Sequence, residues 1–234
     1  LWQEDAPLLW DGEYFGRALE RRVWLNHGVG QFARPLQQPY PPIAMAMVGP
    51  GGRTAETIAE RDMIPISANF VPIENVAAQW RDYALARERL GKIADRHVWR
   101  VCRNILVTQT DEEAAELLLD PDGVIAHYFR YIRGVRKIEE FQSLQHEALP
   151  VINEFLEVPG ALEDCAIVGS ADTVLARLVD LVDQLGPFGT LVMVGHDWDD
   201  SGLSQRSMQC LAENTMPQLK QYVDSLGPAR WFGL

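Results

Sequence analysis

The sequence predicts an α/β fold with a parallel sheet, and two observations lead to that class. Short apolar runs alternate with helical patterns about four times between residues 43 and 222, as in successive βαβ units. The 234 residues are 47% hydrophobic and 23% charged, which is the composition of an ordinary folded domain. We therefore expect parallel strands joined by helical crossovers.

Residues 1–42 are expected to be irregular, because proline and glycine occur there at close intervals. The segment from Trp10 to Phe15 contains an Asp-Gly pair between apolar residues, which predicts a tight turn. The sequence starts with Leu1 and not with Met. We interpret it as a fragment, or as a chain with a further N-terminal part.

Four apolar runs predict strands. The first is a short continuous run after a pair of prolines, which is typical of a buried strand in a parallel sheet. A later run carries the β-branched residues Val101, Ile105 and Val107, which favour strand structure. The predicted strands are Ile43–Val48, Met63–Phe70, Val98–Val107 and Thr190–Val194, and a further run, Ile167–Ser170, leads into a helix.

Helical patterns follow these runs. The helix starting at Asp111 opens with acidic residues, which the positive end of a helix dipole favours. The predicted helices are Arg53–Arg61, Asn75–Leu90, Asp111–Leu119, Ala171–Leu185 and Ser204–Tyr222, the last interrupted near Met216-Pro217. Four strand–helix units are about half of an eightfold barrel, which typically needs ~250 residues.

Residues 121–160 break the alternation and are predicted to be a helical insertion. The helical patterns there run from Val124 to Tyr131 and from Ile138 to His146. The segment Pro228–Leu234 is expected to be a loosely docked terminus.

Charge and cysteine content exclude several classes of protein. The formal net charge is −12, which disfavours nucleic acids and anionic membranes as partners. No apolar run is long enough for a membrane-spanning helix, and no residues have zinc-ligand spacing. Three widely spaced cysteines do not form a disulfide framework, so we expect a cytoplasmic location.

The first candidate site is the run from Ala46 to Thr54, where a predicted strand leads through a Gly-rich turn into a helix. Glycines allow the backbone to approach a ligand, and the free N–H groups of a helix N-terminus favour an anion. Neither a Walker sequence nor a complete GxGxxG is present. The alternative is an ordinary strand–helix turn in which Thr54 caps the helix.

The second candidate is His196, which follows the strand Thr190–Val194 directly after Gly195. In a barrel, the carboxyl end of a strand faces the active site, where a His can act as a base or contact a ligand. The alternative is a structural histidine before the acidic residues Asp197 and Asp199.

Ser170 is interpreted as a helix cap. The basic residues Arg130, Arg133 and Lys137 are interpreted as a solvated or lid face, and no G-x-S-x-G motif indicates a hydrolase.

Several segments, in order, resemble the luciferase-like flavin monooxygenases, in particular the limonene and diketocamphane monooxygenase branch. The resemblance lies in Trp10–Phe15, in Pro42–Ala46 with the turn that follows, and less specifically in Arg130-Tyr131. It continues through Ile167–Val174, Gly186–Leu191 and His196–Trp198. It spans nearly the whole chain and matches the C-terminal part of that family.

The resemblance implies a TIM barrel of the luciferase-like type, of which residues 1–234 are the C-terminal portion, with the insertion at about 121–160. It also implies oxygenation of a small organic substrate by reduced FMN and O₂ through a flavin C4a-peroxide, by Baeyer–Villiger oxidation, epoxidation or hydroxylation. Members of the family are usually homodimers and receive the flavin from a separate reductase. The absence of a basic pocket motif favours a neutral, apolar substrate.

Carried over to this sequence, the resemblance places the FMN phosphate at the turn after the first strand. The implied cofactor-binding residues are Val48, Gly49, Gly51, Gly52, Arg53 and Thr54. His196 is the candidate catalytic residue, and Trp198 the candidate substrate contact. Two other functions stay open: an oxidoreductase of the same superfamily that uses the deazaflavin F420, and a non-catalytic remnant that binds flavin.

Overall fold

The computed structural model describes residues 8–11, 16–19, 23–24, 29–30, 35–49, 52–120, 122–136, 165–195 and 201–232. The chain divides into two compact units, residues 1–43 and residues 44–234. The larger unit carries the alternating strands and helices.

The first unit contains two short antiparallel strand pairs. Strand β1 (Leu8–Asp11) pairs with β2 (Gly16–Leu19), and Asp11 lies opposite Gly16. This pairing confirms the predicted chain reversal, although the turn residues 12–15 lie outside the described part of the chain. Strand β3 (Val23–Trp24) pairs with β4 (Val29–Gly30) in the same antiparallel manner.

The second unit is built on a parallel sheet, as the alternation in the sequence predicts. Its strands are β5 (Ala44–Met47), β6 (Ile64–Ser67), β7 (Arg100–Val107), β8 (Ala166–Gly169) and β9 (Thr190–Val194). Strand β6 joins β5 to β7, and β7 continues to β8. Strand β9 also pairs with β7, with Arg100 opposite Thr190 and Asn104 opposite Val194. Strand β7 therefore connects three of its neighbours into one sheet.

The five helices predicted outside the insertion are confirmed in position and order. Two of them, Asp111–Leu119 and Ala171–Leu185, have the bounds that the sequence predicts. The helices of the described residues are α1 (Gly52–Glu60), α2 (Ile73–Arg89), α3 (Asp111–Leu119), α4 (Val124–Arg136), α5 (Ala171–Leu185), α6 (Ser201–Cys210) and α7 (Met216–Ser225).

Strand β5 differs from its prediction as a buried strand. Its first three residues are exposed, and only Met47 is buried. Among the described residues β5 pairs with β6 alone.

Capping side chains fix the starts of α3 and α5. The hydroxyl of Thr110 accepts a hydrogen bond from the Glu113 N–H, and that of Ser170 accepts one from Thr173, which confirms Ser170 as a cap. Asp111 links the two helices, because its carboxylate accepts from the Ser170 N–H at 2.7 Å and from the Thr173 hydroxyl at 2.9 Å. These hydrogen bonds hold the pKa of Asp111 below its ordinary value.

The main core lies between the sheet and helices α2 and α5. The completely buried rings of Trp80 and Trp99 stack with centroids 4.9 Å apart. The Arg96 guanidinium lies 4.8 Å from the centroid of the Trp80 ring and donates to the Leu185 carbonyl at 2.8 Å. Burial lowers the pKa of Arg96 to about 10, so the side chain remains charged at neutral pH.

The insertion is only partly described. Its first predicted helix is confirmed and extends to Arg136 as α4, whereas the second, Ile138–His146, lies outside the described residues.

The predicted interruption of the last helix is a π-helical turn, Leu211–Thr215, between α6 and α7. Pro217 occupies the first turn of α7, where its missing N–H costs no helical hydrogen bond.

The C-terminal segment is docked more firmly than predicted. The Trp231 ring stacks on the His97 ring with centroids 3.9 Å apart, and Phe232 forms a β-bridge with Asp95. Aromatic stacking and backbone pairing together fix this segment at the start of β7.

None of the described helices is long and apolar enough to cross a membrane. The described residues also include no group of three or more His, Cys, Asp or Glu side chains that could hold a metal ion.

Candidate functional site

The Gly-rich turn lies between β5 and α1, as the sequence predicts. The structure describes Val48 and Gly49 before it and Gly52 after it, whereas Pro50 and Gly51 lie outside the described residues. Gly52 has a φ of +54°, in the left-handed region that favours glycine. Apart from the neighbouring residues and the backbone of α1, no heavy atom of the described residues lies within 4 Å of the position that a Cβ would take there, so the start of α1 has open space beside it.

Helix α2 contacts both ends of this turn. The Gln79 amide nitrogen donates to the Gly49 carbonyl at 2.7 Å. The Gly52 N–H donates to the Asp82 carboxylate at 2.9 Å. The two contacts come from residues about one helical turn apart, so one face of α2 anchors the turn before and after Pro50-Gly51.

The first turn of α1 is suited to an anion. It contains no acidic residue of its own, and Arg53 adds an exposed guanidinium there. Thr54 is half-buried one residue further along. The Gly52 N–H is engaged by Asp82, so an anion would use the N–H groups that follow it. The open space, the helix N-terminus and Arg53 fit a phosphate group.

A cavity of about 510 Å³ lies elsewhere in the second unit, beside the carboxyl end of β9. It lies between strands β7 and β9, helix α6 and the junction of α3 with α4. Most of its lining is apolar. The apolar side chains are Ile105, Leu106, Leu117, Val124, Ile125, Met193, Val194 and Leu203.

The polar side chains of the cavity wall are Asn104, Asp120, Asp122, Ser204 and Ser207. Asn104, on β7, also belongs to a buried hydrogen-bond network. Its amide nitrogen donates to the carbonyls of Cys165 at 2.8 Å and of Asn69 at 3.1 Å. Its amide oxygen accepts from the Asn69 side chain at 2.6 Å. The Tyr128 hydroxyl lies 2.9 Å from the Asn69 amide nitrogen, which ties helix α4 to the sheet.

The predicted site residues are thus only partly described. Gly49, Gly52, Arg53 and Thr54 lie around one turn, and the half-buried Val48 packs in the smaller apolar cluster with Leu106. Gly51, His196 and Trp198 lie outside the described residues. Gly195, which precedes His196, lines the cavity.

Sequence reasoning missed the residues that hold the site in place. Gln79 lies on the buried face of α2 between apolar side chains, and it is completely buried itself. In the sequence, the signal for this residue is a single glutamine among the apolar residues of the buried face of α2. Asn69 and Asn104 gave a similar signal, as amides after or within a predicted strand, and Tyr128 lies just before the basic residues that were interpreted as a solvated or lid face.

No protein-family model matches the chain, but individual proteins are similar to it in sequence and in structure. The chain is 23% identical over 227 residues to 3,6-diketocamphane 1,6-monooxygenase from Pseudomonas putida, over 94% of the chain and 58% of that protein. It is 24% identical over 154 residues to 4-hydroxyprotoasukamycin monooxygenase from Streptomyces nodosus subsp. asukaensis, over 66% and 39%.

Among solved structures, the oxygenating constituent of 3,6-diketocamphane monooxygenase from Pseudomonas putida, in complex with FMN, superposes with a TM-score of 0.64. The sequences are 22% identical, and the match covers 90% of this chain and 58% of that one. The chain therefore spans little more than half the length of the diketocamphane monooxygenase, and the match covers a smaller share of the Streptomyces enzyme. The chain is similar in sequence to these monooxygenases and has the same type of α/β fold, as the resemblance to the luciferase-like flavin monooxygenases predicts.

Proposed function

We propose that the protein is a flavin-dependent monooxygenase, which uses reduced FMN and O₂ to oxygenate a small, apolar organic substrate. The observation that supports this proposal is the turn between β5 and α1, which leads into a helix N-terminus beside Arg53 in a fold shared with an FMN-bound monooxygenase. In this proposal residues 1–234 form the C-terminal portion of one luciferase-like barrel, with a helical insertion at about 121–160.

The FMN phosphate would be held at that turn by Val48, Gly49, Gly51, Gly52, Arg53 and Thr54. Three features of the turn support this binding. The open space at Gly52 admits a phosphate group, and the Arg53 guanidinium supplies a positive charge. The dipole of the nine-residue helix α1 adds a partial positive charge at the same end.

The apolar cavity would bind the substrate. Its volume of about 510 Å³ lies within the ~300–1,000 Å³ range of small-molecule sites, and the apolar majority of its lining favours a largely apolar ligand. Bound reduced FMN supplies the activation of O₂, and the chain positions the substrate and excludes water. His196 and Trp198 follow the cavity residue Gly195 in sequence, which supports substrate contacts for both.

The proposal includes three further points that follow from the resemblance. The protein would receive FMN from a separate flavin reductase, act in the cytoplasm and form a homodimer. Size-exclusion chromatography with light scattering tests the last point, since a monomeric mass would contradict it.

The deciding experiment measures flavin binding and oxygen uptake on one sample. We expect quenching of FMN fluorescence on titration, and O₂ consumption that depends on a cyclic ketone when a flavin reductase and NADH are supplied. FMN binding without substrate-dependent O₂ uptake would instead support a non-catalytic flavin-binding protein. Hydride transfer with F420 alone would support the deazaflavin oxidoreductase.

Replacing Gly51 with valine is expected to weaken FMN binding at least tenfold, or by ~1.4 kcal/mol. A β-branched side chain in the turn would obstruct the approach of the phosphate to the backbone. The measurement is a fluorescence titration of Gly51→Val with FMN, beside Gly134→Ala in the exposed part of α4 as a control. Unchanged FMN affinity in Gly51→Val would exclude the turn from the flavin site.

Replacing His196 with alanine is expected to lower turnover at least tenfold and to change FMN affinity less than twofold. This separation follows if His196 contacts the substrate and not the flavin. Steady-state O₂ uptake and FMN titration of the same variant provide the two values. A turnover rate equal to that of the wild type would assign His196 a structural role.

A further inference from the structure

Gln79 is an unusual residue for its position. It is completely buried on the face of α2 that also carries the buried side chains of Val76, Trp80 and Tyr83. Burying a primary amide costs free energy unless its hydrogen bonds are formed. The Gln79 amide oxygen has no hydrogen-bond partner among the described residues, so this position is not optimised for packing alone.

The hydrogen bond that Gln79 does form lies at the Gly-rich turn. Its amide nitrogen donates to the Gly49 carbonyl at 2.7 Å, across a sequence separation of 30 residues. The peptide group that follows Gly49 joins it to Pro50, and a peptide group ending in proline has no N–H. That group can therefore present only a carbonyl oxygen, which an anionic ligand repels.

From these contacts we infer that Gln79 is a positioning residue for the flavin phosphate. By binding the Gly49 carbonyl to α2, Gln79 fixes the orientation of a peptide group in the turn that has no N–H to donate to a phosphate. Asp82 anchors the other end of the turn through the Gly52 N–H. This inference rests on the proposed function, because it assumes that the turn binds the FMN phosphate.

Binding of the phosphate can be separated from binding of the rest of the flavin by comparing FMN with riboflavin. Riboflavin has the same ring system and ribityl chain as FMN but no phosphate. A defect in the orientation of the turn therefore weakens FMN binding and leaves riboflavin binding unchanged, whereas a loss of general stability affects both ligands.

The test replaces Gln79 with methionine, which has a similar length and no hydrogen-bond donor. We expect the Kd for FMN to rise at least tenfold and that for riboflavin to change less than twofold, as measured by flavin fluorescence. Val76→Ala, one turn earlier on the same buried face, is the matched control for stability and is expected to leave the ratio of the two constants unchanged. An unchanged ratio in Gln79→Met, or an equal loss in both variants, overturns the inference.

Hydrogen exchange on the flavin-free protein provides a second readout. Peptides covering residues 45–56 should exchange faster in Gln79→Met than in the wild type or in Val76→Ala. Equal exchange in all three proteins overturns the positioning role. A wild type that binds no FMN overturns the proposed function instead, and the exchange data still decide whether Gln79 fixes the turn.

Discussion

Replacing Gly189 with alanine is expected to destabilise the protein by ~4 kcal/mol or more, which is at the upper end of single substitutions. A Cβ at this position would lie 1.8 Å from the His97 carbonyl oxygen and 2.4 Å from its carbon. Both are backbone atoms, so no side-chain rotation can relieve the overlap. The Gly189 N–H also donates to the Arg96 carbonyl at 2.9 Å, which holds the two segments together.

The neighbourhood of Gly189 leaves little room for adjustment. The His97 side chain is stacked against Trp231 and hydrogen-bonded to Asp95. Burial raises the pKa of Asp95, but the hydrogen bonds from His97 outweigh it, so the pKa lies below its ordinary value. Gly189 directly precedes β9, so a displaced backbone would also disturb the pairing of Thr190 with Arg100.

Chemical denaturation of Gly189→Ala beside Gly134→Ala tests this expectation. Gly134 is exposed in α4, and beyond its own helix no atom of the described residues lies within 4 Å of its Cβ position, so alanine should stabilise the protein there by up to ~1 kcal/mol. A Gly189→Ala variant whose free energy of unfolding lies within 1 kcal/mol of the wild type would contradict the contact with His97.

Replacing Asn104 with leucine is expected to lower the free energy of unfolding by ~3 kcal/mol. Leucine has a similar volume and no polar atoms, so the buried carbonyls of Cys165 and Asn69 would each lose a hydrogen bond. A buried polar group without a partner costs about 1–3 kcal/mol. Asn104 is itself 2% exposed.

Tyr128→Phe is the matched control for Asn104→Leu. It removes one hydroxyl from the same network and leaves the bonds of Asn104 to Asn69 and Cys165 in place. Its expected cost is ~1 kcal/mol. Equal losses of stability in the two variants, measured by denaturant titration, would show that Asn104 does not hold the network together.

Local sequence signals were sufficient for most helices and strands. The bounds of α3 and α5 could be predicted because the caps that define them, Thr110 and Ser170, lie directly before the helices. The pairing of β9 with β7 could not be predicted, because strand order depends on contacts between distant segments. The burial of β5 was predicted incorrectly, because a run of apolar residues does not show which distant segments cover the strand.

The candidate site was predictable only in part. Glycines and a following helix identify an anion-binding turn within one short stretch of sequence. The residues that hold this turn, Gln79 and Asp82, lie about 30 positions later and are recognisable only once α2 packs beside α1. Likewise, Asn69 and Asn104 come together across the sheet, and no local pattern relates them.

The partners of β7 have a consequence for how the chain reaches this fold. Arg100 faces Thr190 in β9, and Asn104 faces Ala166 in β8, so the central strand is completed only by residues far downstream. Closing such long loops costs conformational entropy before the contacts are gained, which slows folding. During synthesis on the ribosome, β7 would emerge well before β8 and β9, so the protein is expected to reach its native sheet late in translation or after it.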